Sequence, residues 1–154
     1  MRVSHCIGCK VFPCQDVRHD GYLLPDVEVD PTNVSIFLIS EAATENPADY
    51  YYATINPHFQ QTTVQAFNDA GAEVDSFREL LERGVYFTTA VKCAKTGYGI
   101  KAATIKECSK ILEEELGLFP NVKVLLLMGD VAIKAINYIA KRQGEPRVIP
   151  AGST

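Results

Sequence analysis

Three short apolar runs, each followed by helical spacing, leave this chain few ways to fold. VSIFLIS at 34–40 is continuous, short and rich in β-branched residues, the pattern of a strand buried on both faces. VYFTTAVKC at 85–93 and VKVLLLMG at 122–129 read as two further strands, the last one buried. After the first strand, Val64, Phe67 and Ala70 share one face of a helix predicted at 62–70, with Gly71 as its C-cap. A short helix at 75–83 turns Phe77, Leu80 and Leu81 inward. Ile105, Cys108, Ile111 and Leu112 line one face of a helix at 104–116, and a last helix at 130–142 is entered through Gly129-Asp130 and ends before Gly144. Strands alternating with helices predict an α/β fold around a mainly parallel sheet. The sequence holds neither an internal repeat nor a low-complexity segment.

The flanks are less regular. Residues 1–20 follow neither period and read as an ordered, cysteine-bearing loop. Residues 21–33, with Pro25 and Pro31, form a turn-rich connection. Residues 41–59 carry Pro47, Pro57 and the run Tyr50-Tyr51-Tyr52, and read as a long loop after a buried strand, where function often resides. A length of 154 residues predicts a single domain, 1–154, with one core. No apolar run approaches the roughly 20 residues that span a bilayer, and the opening MRVSHCIGCK has no signal-peptide core. The expectation is a cytoplasmic, membrane-free monomer. A net charge of −4 argues against a surface that grips nucleic acid all over. The stretch 92–110 is the exception, with Lys92, Lys95, Lys101, Lys106 and Lys110 against the single acid Glu107.

Five cysteines in a chain without a signal peptide favour metal or cluster ligation over disulfides. Cys6 and Cys9 form a C-x-x-C pair in a polar loop, where two thiols have little packing use. Cys93 ends a strand and Cys108 lies early in the helix after it, so a strand, loop and returning helix could bring them together. Four thiolates suit a four-iron cluster or a tetrahedral zinc. Cys108 also fits as plain core, Cys93 reads equally well as ligand or core, and Cys14 is a spare, an alternative ligand or neither.

Three segments in order resemble the family 4 uracil-DNA glycosylases, the cluster-containing branch of that superfamily. IFLISEAATEN resembles the first motif, a buried strand running into Gly-Glu-Ala-Pro-Gly. YFTTAVKC resembles the Thr-Asn-Val-Val-Lys-Cys strand. ECSKILEEELGLFPNVKVLLLMGDVAIKAI resembles the block of a cysteine-opened helix, a Pro-x-Val strand and a glycine-started helix. The resemblance implies a three-layer α/β sandwich with a central sheet of about four strands and a base-binding pocket at the strand ends. It also implies a 4Fe–4S cluster on Cys6, Cys9, Cys93 and Cys108, with zinc as the alternative, and DNA as partner. The implied reaction is hydrolysis of the N-glycosidic bond of uracil or another deaminated base taken out of the stack. Glu41 falls on the motif's catalytic Glu and Ala42 on the next pocket residue. Phe59 and His58 stand where an aromatic should stack on the base, with Tyr52 behind them. Thr89 falls on the base-reading Asn, and Lys92, Lys95 and Lys101 are the expected phosphate contacts.

The chain also departs from the pattern. Ser40, Ala43 and Thr44 replace the motif's Gly, Pro and Gly, and Pro47, between Glu45 and Asp49, takes the place of a later acid. The sequence closes on VIPAGST without the family's late His-Pro-Ser-type motif, so that region, and with it a last strand, is expected to be absent. His5, His19 and His58 lie too early to replace it. Two other readings stay open: a non-catalytic relative that binds nucleic acid or nucleotide, and a zinc-stapled α/β domain of unrelated role.

Overall fold

A computed structural model describes residues 1–54, 56–57 and 59–150. A two-residue strand β1 (Val17–Arg18) precedes β2 (Ile36–Ala43). Helices α1 (Gln60–Asp69) and α2 (Phe77–Glu82) lead to the longest strand, β3 (Val85–Lys95). Then come α3 (Ala102–Gly117), β4 (Val124–Leu127) and α4 (Asp130–Arg142). The sheet order is β1-β3-β2-β4. β2 runs parallel to both β3 and β4, while β1 pairs antiparallel to the end of β3.

The side-chain alternation of a strand explains the layers. Phe87 of β3 meets Phe77 of α2 at a ring separation of 4.7 Å and Phe67 of α1 at 6.2 Å. Its neighbours Tyr86 and Thr88 point the other way, and both hydrogen-bond Glu115 of α3. Helices thus cover both faces of β3, giving the expected α/β/α sandwich. β3 is buried from Val85 to Ala94, so its near-continuous apolar run is what a central parallel strand requires.

The outer edge of β3 is closed piecemeal. The Tyr52 hydroxyl accepts the Phe87 N–H at 3.0 Å, Leu23 N–H donates to the Lys92 carbonyl at 2.7 Å, and β1 pairs with Ala94 and Lys95. Each satisfies backbone groups that an open edge would leave unpaired. Two expectations change here. The N-terminal loop contributes a strand, Val17–Arg18, too short to show a period. β4 is half-exposed rather than buried, because among the described residues it pairs only with β2, and Val124 is 43% exposed.

Two glycine signals act as read, and two side-chain caps add to them. Gly71 follows α1 at φ +92°, and Gly129 at φ +101° precedes α4. Ser76 caps α2, its hydroxyl accepting from Glu79 N–H at 3.2 Å. Gln60, buried at the start of α1, accepts the Phe77 N–H at 3.0 Å and so ties the two helices together.

Candidate active site and thiol cavity

β2 runs past Ser40 to Ala43, and its register with β3 shifts between Ala42 and Ala43. At this irregular end lies a cavity of about 340 Å³, lined by Glu41, Ala42, Phe59 and Thr89 among others. In open α/β sheets, ligands bind beyond the carboxyl ends of the strands. His58, the other expected stacking residue, lies outside the described residues. Tyr52 is not at the pocket: it is buried in the core with its hydroxyl on β3.

The Glu41 carboxylate accepts from the Lys95 ammonium at 3.0 Å, and Lys95 also donates to the Tyr98 carbonyl. Tyr51 hydroxyl donates to Ser40 Oγ at 3.2 Å, and Ser40 Oγ to the Thr88 carbonyl at 3.4 Å. The Tyr50 hydroxyl and Thr89 Oγ1 are different. Among the described residues they are the buried side-chain polar atoms without a hydrogen-bond partner, and both residues line the cavity. Burial holds the Tyr50 phenol well above its ordinary range, and the nearby Glu115 carboxylate adds to this. The Thr89 and Thr88 hydroxyls lie close enough to pull slightly the other way, without closing a hydrogen bond to it. Tyr50 is therefore a neutral donor at physiological pH. A buried, unpaired hydroxyl costs about 1–3 kcal/mol, which a ligand's polar edge would relieve.

Lys92 corrects an expectation. It is fully buried, ion-paired with Glu115, and donates to Thr88 Oγ1 at 2.8 Å and the Thr89 carbonyl at 2.7 Å, so it does not reach a phosphate. An ammonium leaves water only when every donor finds an acceptor, and here all three contacts do so. The network sits directly behind Thr89 and fixes its backbone. Sequence reasoning missed it, although a signal was present: Glu115 falls on the same apolar face as Ile111 and Leu112. Of the other two expected phosphate contacts, Lys95 is turned onto Glu41, whereas Lys101 is exposed at the start of α3. Tyr98, fully exposed in the loop after β3, was not anticipated; its only signal was an aromatic between two glycines.

A larger cavity, about 670 Å³, lies between the N-terminal loop, β3 and α3, and all five cysteines line it. All are free thiols, with Cys93 and Cys108 buried, Cys9 and Cys14 half-buried and Cys6 exposed. Burial, then the neighbouring thiols of Cys108, Cys9 and Cys14, push Cys93 up to about 12. Burial also raises Cys108, whose sulfur accepts the Lys92 N–H at 3.2 Å. Among the described residues, no three His, Cys, Asp or Glu side chains are close enough to hold a single metal ion.

An α/β/α domain with a cavity at its strand ends and a separate thiol-lined cavity is the class these observations define. The chain belongs to the uracil DNA glycosylase superfamily, whose family profile matches residues 28–153. It is similar to a type-5 uracil-DNA glycosylase of Thermus thermophilus, 38% identical over 53 residues. Those residues are 34% of this chain but span only 24% of that relative's length, and the relative is of type 5 rather than family 4. No helix among the described residues is long and apolar enough to cross a membrane.

Proposed function

We propose that this domain excises a deaminated base, uracil first, from DNA by hydrolysing its N-glycosidic bond. The observation that supports this most is the cavity after β2, where the Glu41 carboxylate and the unpaired Tyr50 and Thr89 hydroxyls converge. A base flipped into this space presents a donor-and-acceptor edge to the two hydroxyls and a ring face to Phe59. Glu41 orients the attacking water and stabilises the cationic sugar of the transition state. Lys95 holds the carboxylate in place. The reaction needs no covalent intermediate on the protein. Lys101 and the exposed Tyr98 give the adjoining surface a cation and a stacking face suited to a DNA strand. All these groups come from one chain, so a monomer suffices.

In the same reading, the thiol cavity holds a four-iron cluster. A single zinc draws four sulfurs to about 3.8 Å of one another, whereas a wide cavity walled by five thiols fits the larger group. The expected ligands are Cys6, Cys9, Cys93 and Cys108. The cluster supplies a cross-link between the N-terminal loop and the sheet.

Duplex and single-stranded oligonucleotides carrying one uracil, hypoxanthine or xanthine test the activity. Release of free base, leaving an alkali-sensitive abasic site, is expected for at least one of them and is lost in Glu41→Gln. Tight binding without release would instead favour the non-catalytic relative, a reading to which Thr89 in the Asn position already leans.

A further inference from the structure

Resting on the base-excision reading above, we infer that Tyr98 enters the DNA duplex beside the captured nucleotide and fills the gap that the flipped base leaves. The other six tyrosines are buried or half-buried, whereas Tyr98 is fully exposed. It stands at the tip of the loop between β3 and α3. Gly97 and Gly99 flank it in open space, since a Cβ built on either meets no atom within 4 Å beyond its chain neighbours. The tip is therefore slender, one ring with no side chain on either side. Its roots are fixed by a single residue. The Asp16 carbonyl accepts the Thr96 hydroxyl at 3.0 Å, and the Asp16 carboxylate accepts the Lys101 N–H at 2.8 Å and the Thr104 hydroxyl. Ile100 packs against the core. A tip on fixed roots has little further freedom to lose on binding.

A single exposed aromatic is ordinary on a protein surface, and the place of this one is what matters. Lys95 lines the strand-end cavity and donates both to Glu41 at 3.0 Å and to the Tyr98 carbonyl at 3.2 Å. One ammonium thus ties the loop tip to the carboxylate at the cavity. Lys101, exposed just beyond the tip, offers a cation to a phosphate of the same strand. Taking a base out of a duplex leaves its neighbours without a stacking partner. An aromatic ring inserted there replaces that contact, and it stacks on any base. A single strand, whose bases rearrange freely, has no such gap, so the device serves duplex DNA.

The chain has no tryptophan, so Tyr98→Trp installs a lone fluorescent reporter at the tip. This variant is titrated with a duplex carrying one tetrahydrofuran abasic analogue, with the same duplex fully paired, and with the analogue in a single strand. Its fluorescence is expected to be quenched on the abasic duplex and to change little on the other two. Tyr98→Ala should bind the abasic duplex about 10-fold more weakly than the parent, the loss of one aromatic–base stack, and Tyr98→Phe should restore that binding. Equal signals on abasic and paired duplex, or parent-like binding by Tyr98→Ala, overturn the inference, as does a parent that binds no abasic duplex. None of these readouts depends on release of base from the uracil, hypoxanthine or xanthine oligonucleotides, so the excision reading stands or falls separately. Selective quenching without release of any of those bases keeps Tyr98 in the gap and removes the enzyme.

Discussion

Thr89 and Tyr50 leave two hydroxyls buried and unpaired at the wall of the strand-end cavity. If a base edge is what they await, removing one changes function more than stability. Tyr50→Phe is expected to leave the urea midpoint unchanged or raise stability by up to about 1 kcal/mol, because a buried group without a partner is lost. Base release should fall in the same variant, and a stability loss with intact activity would assign Tyr50 to the core alone. Glu41→Gln separates the same way. Its ion pair with Lys95 is partly exposed and worth about 0–1 kcal/mol, whereas loss of a positioned catalytic group costs about 100-fold or more in single-turnover rate. The strand-end placement of Glu41, Ala42 and Thr89 was legible in the sequence because strand order fixes which residues reach the carboxyl end. Tyr50 was not, because three adjacent tyrosines give no sign of which of them line the pocket.

β3 and α3 form the most interdependent pair of elements. Lys92 and Glu115 are both fully buried, and removing one partner strands the other charge. Lys92→Met should destabilise the domain by about 3–5 kcal/mol, and adding Glu115→Leu should restore much of that, since an apolar pair can replace a buried ion pair. Chemical denaturation of the two single variants and the double one measures the coupling. The turn between α2 and β3 is equally specific. Gly84 sits at φ +88°, and a Cβ there would lie 2.6 Å from the Asn33 carbonyl oxygen. Gly84→Ala should therefore cost about 1–3 kcal/mol, read as a lower melting temperature. The existence and type of α1 to α4 and of β2 to β4 follow from apolar spacing. The Lys92–Glu115 pair defeated that reading: a lysine at the end of an apolar strand looks like a surface charge until the helix packed on it supplies an acid.

Across the whole molecule, the N-terminal loop meets the body of the domain through β1, the thiol cavity and the buried Val3 and Val17. Removing the proposed cluster should lower the melting temperature and expose residues 1–20 to proteolysis before the rest, because metal binding energy is folding energy for such a segment. Limited digestion before and after iron chelation checks this; an unchanged cleavage order would detach the cavity from the loop's stability. By itself the sequence determined the α/β class, the layered order of its elements and the strand-end position of Glu41 and Thr89, because apolar periodicity and chain order act locally and accumulate along the strand. Tertiary structure alone decided which lysine is buried, which tyrosines line the cavity and which cysteines are buried. Those choices depend on groups brought together from distant parts of the chain, such as Lys92 with Glu115, whose contact free energy no local spacing encodes.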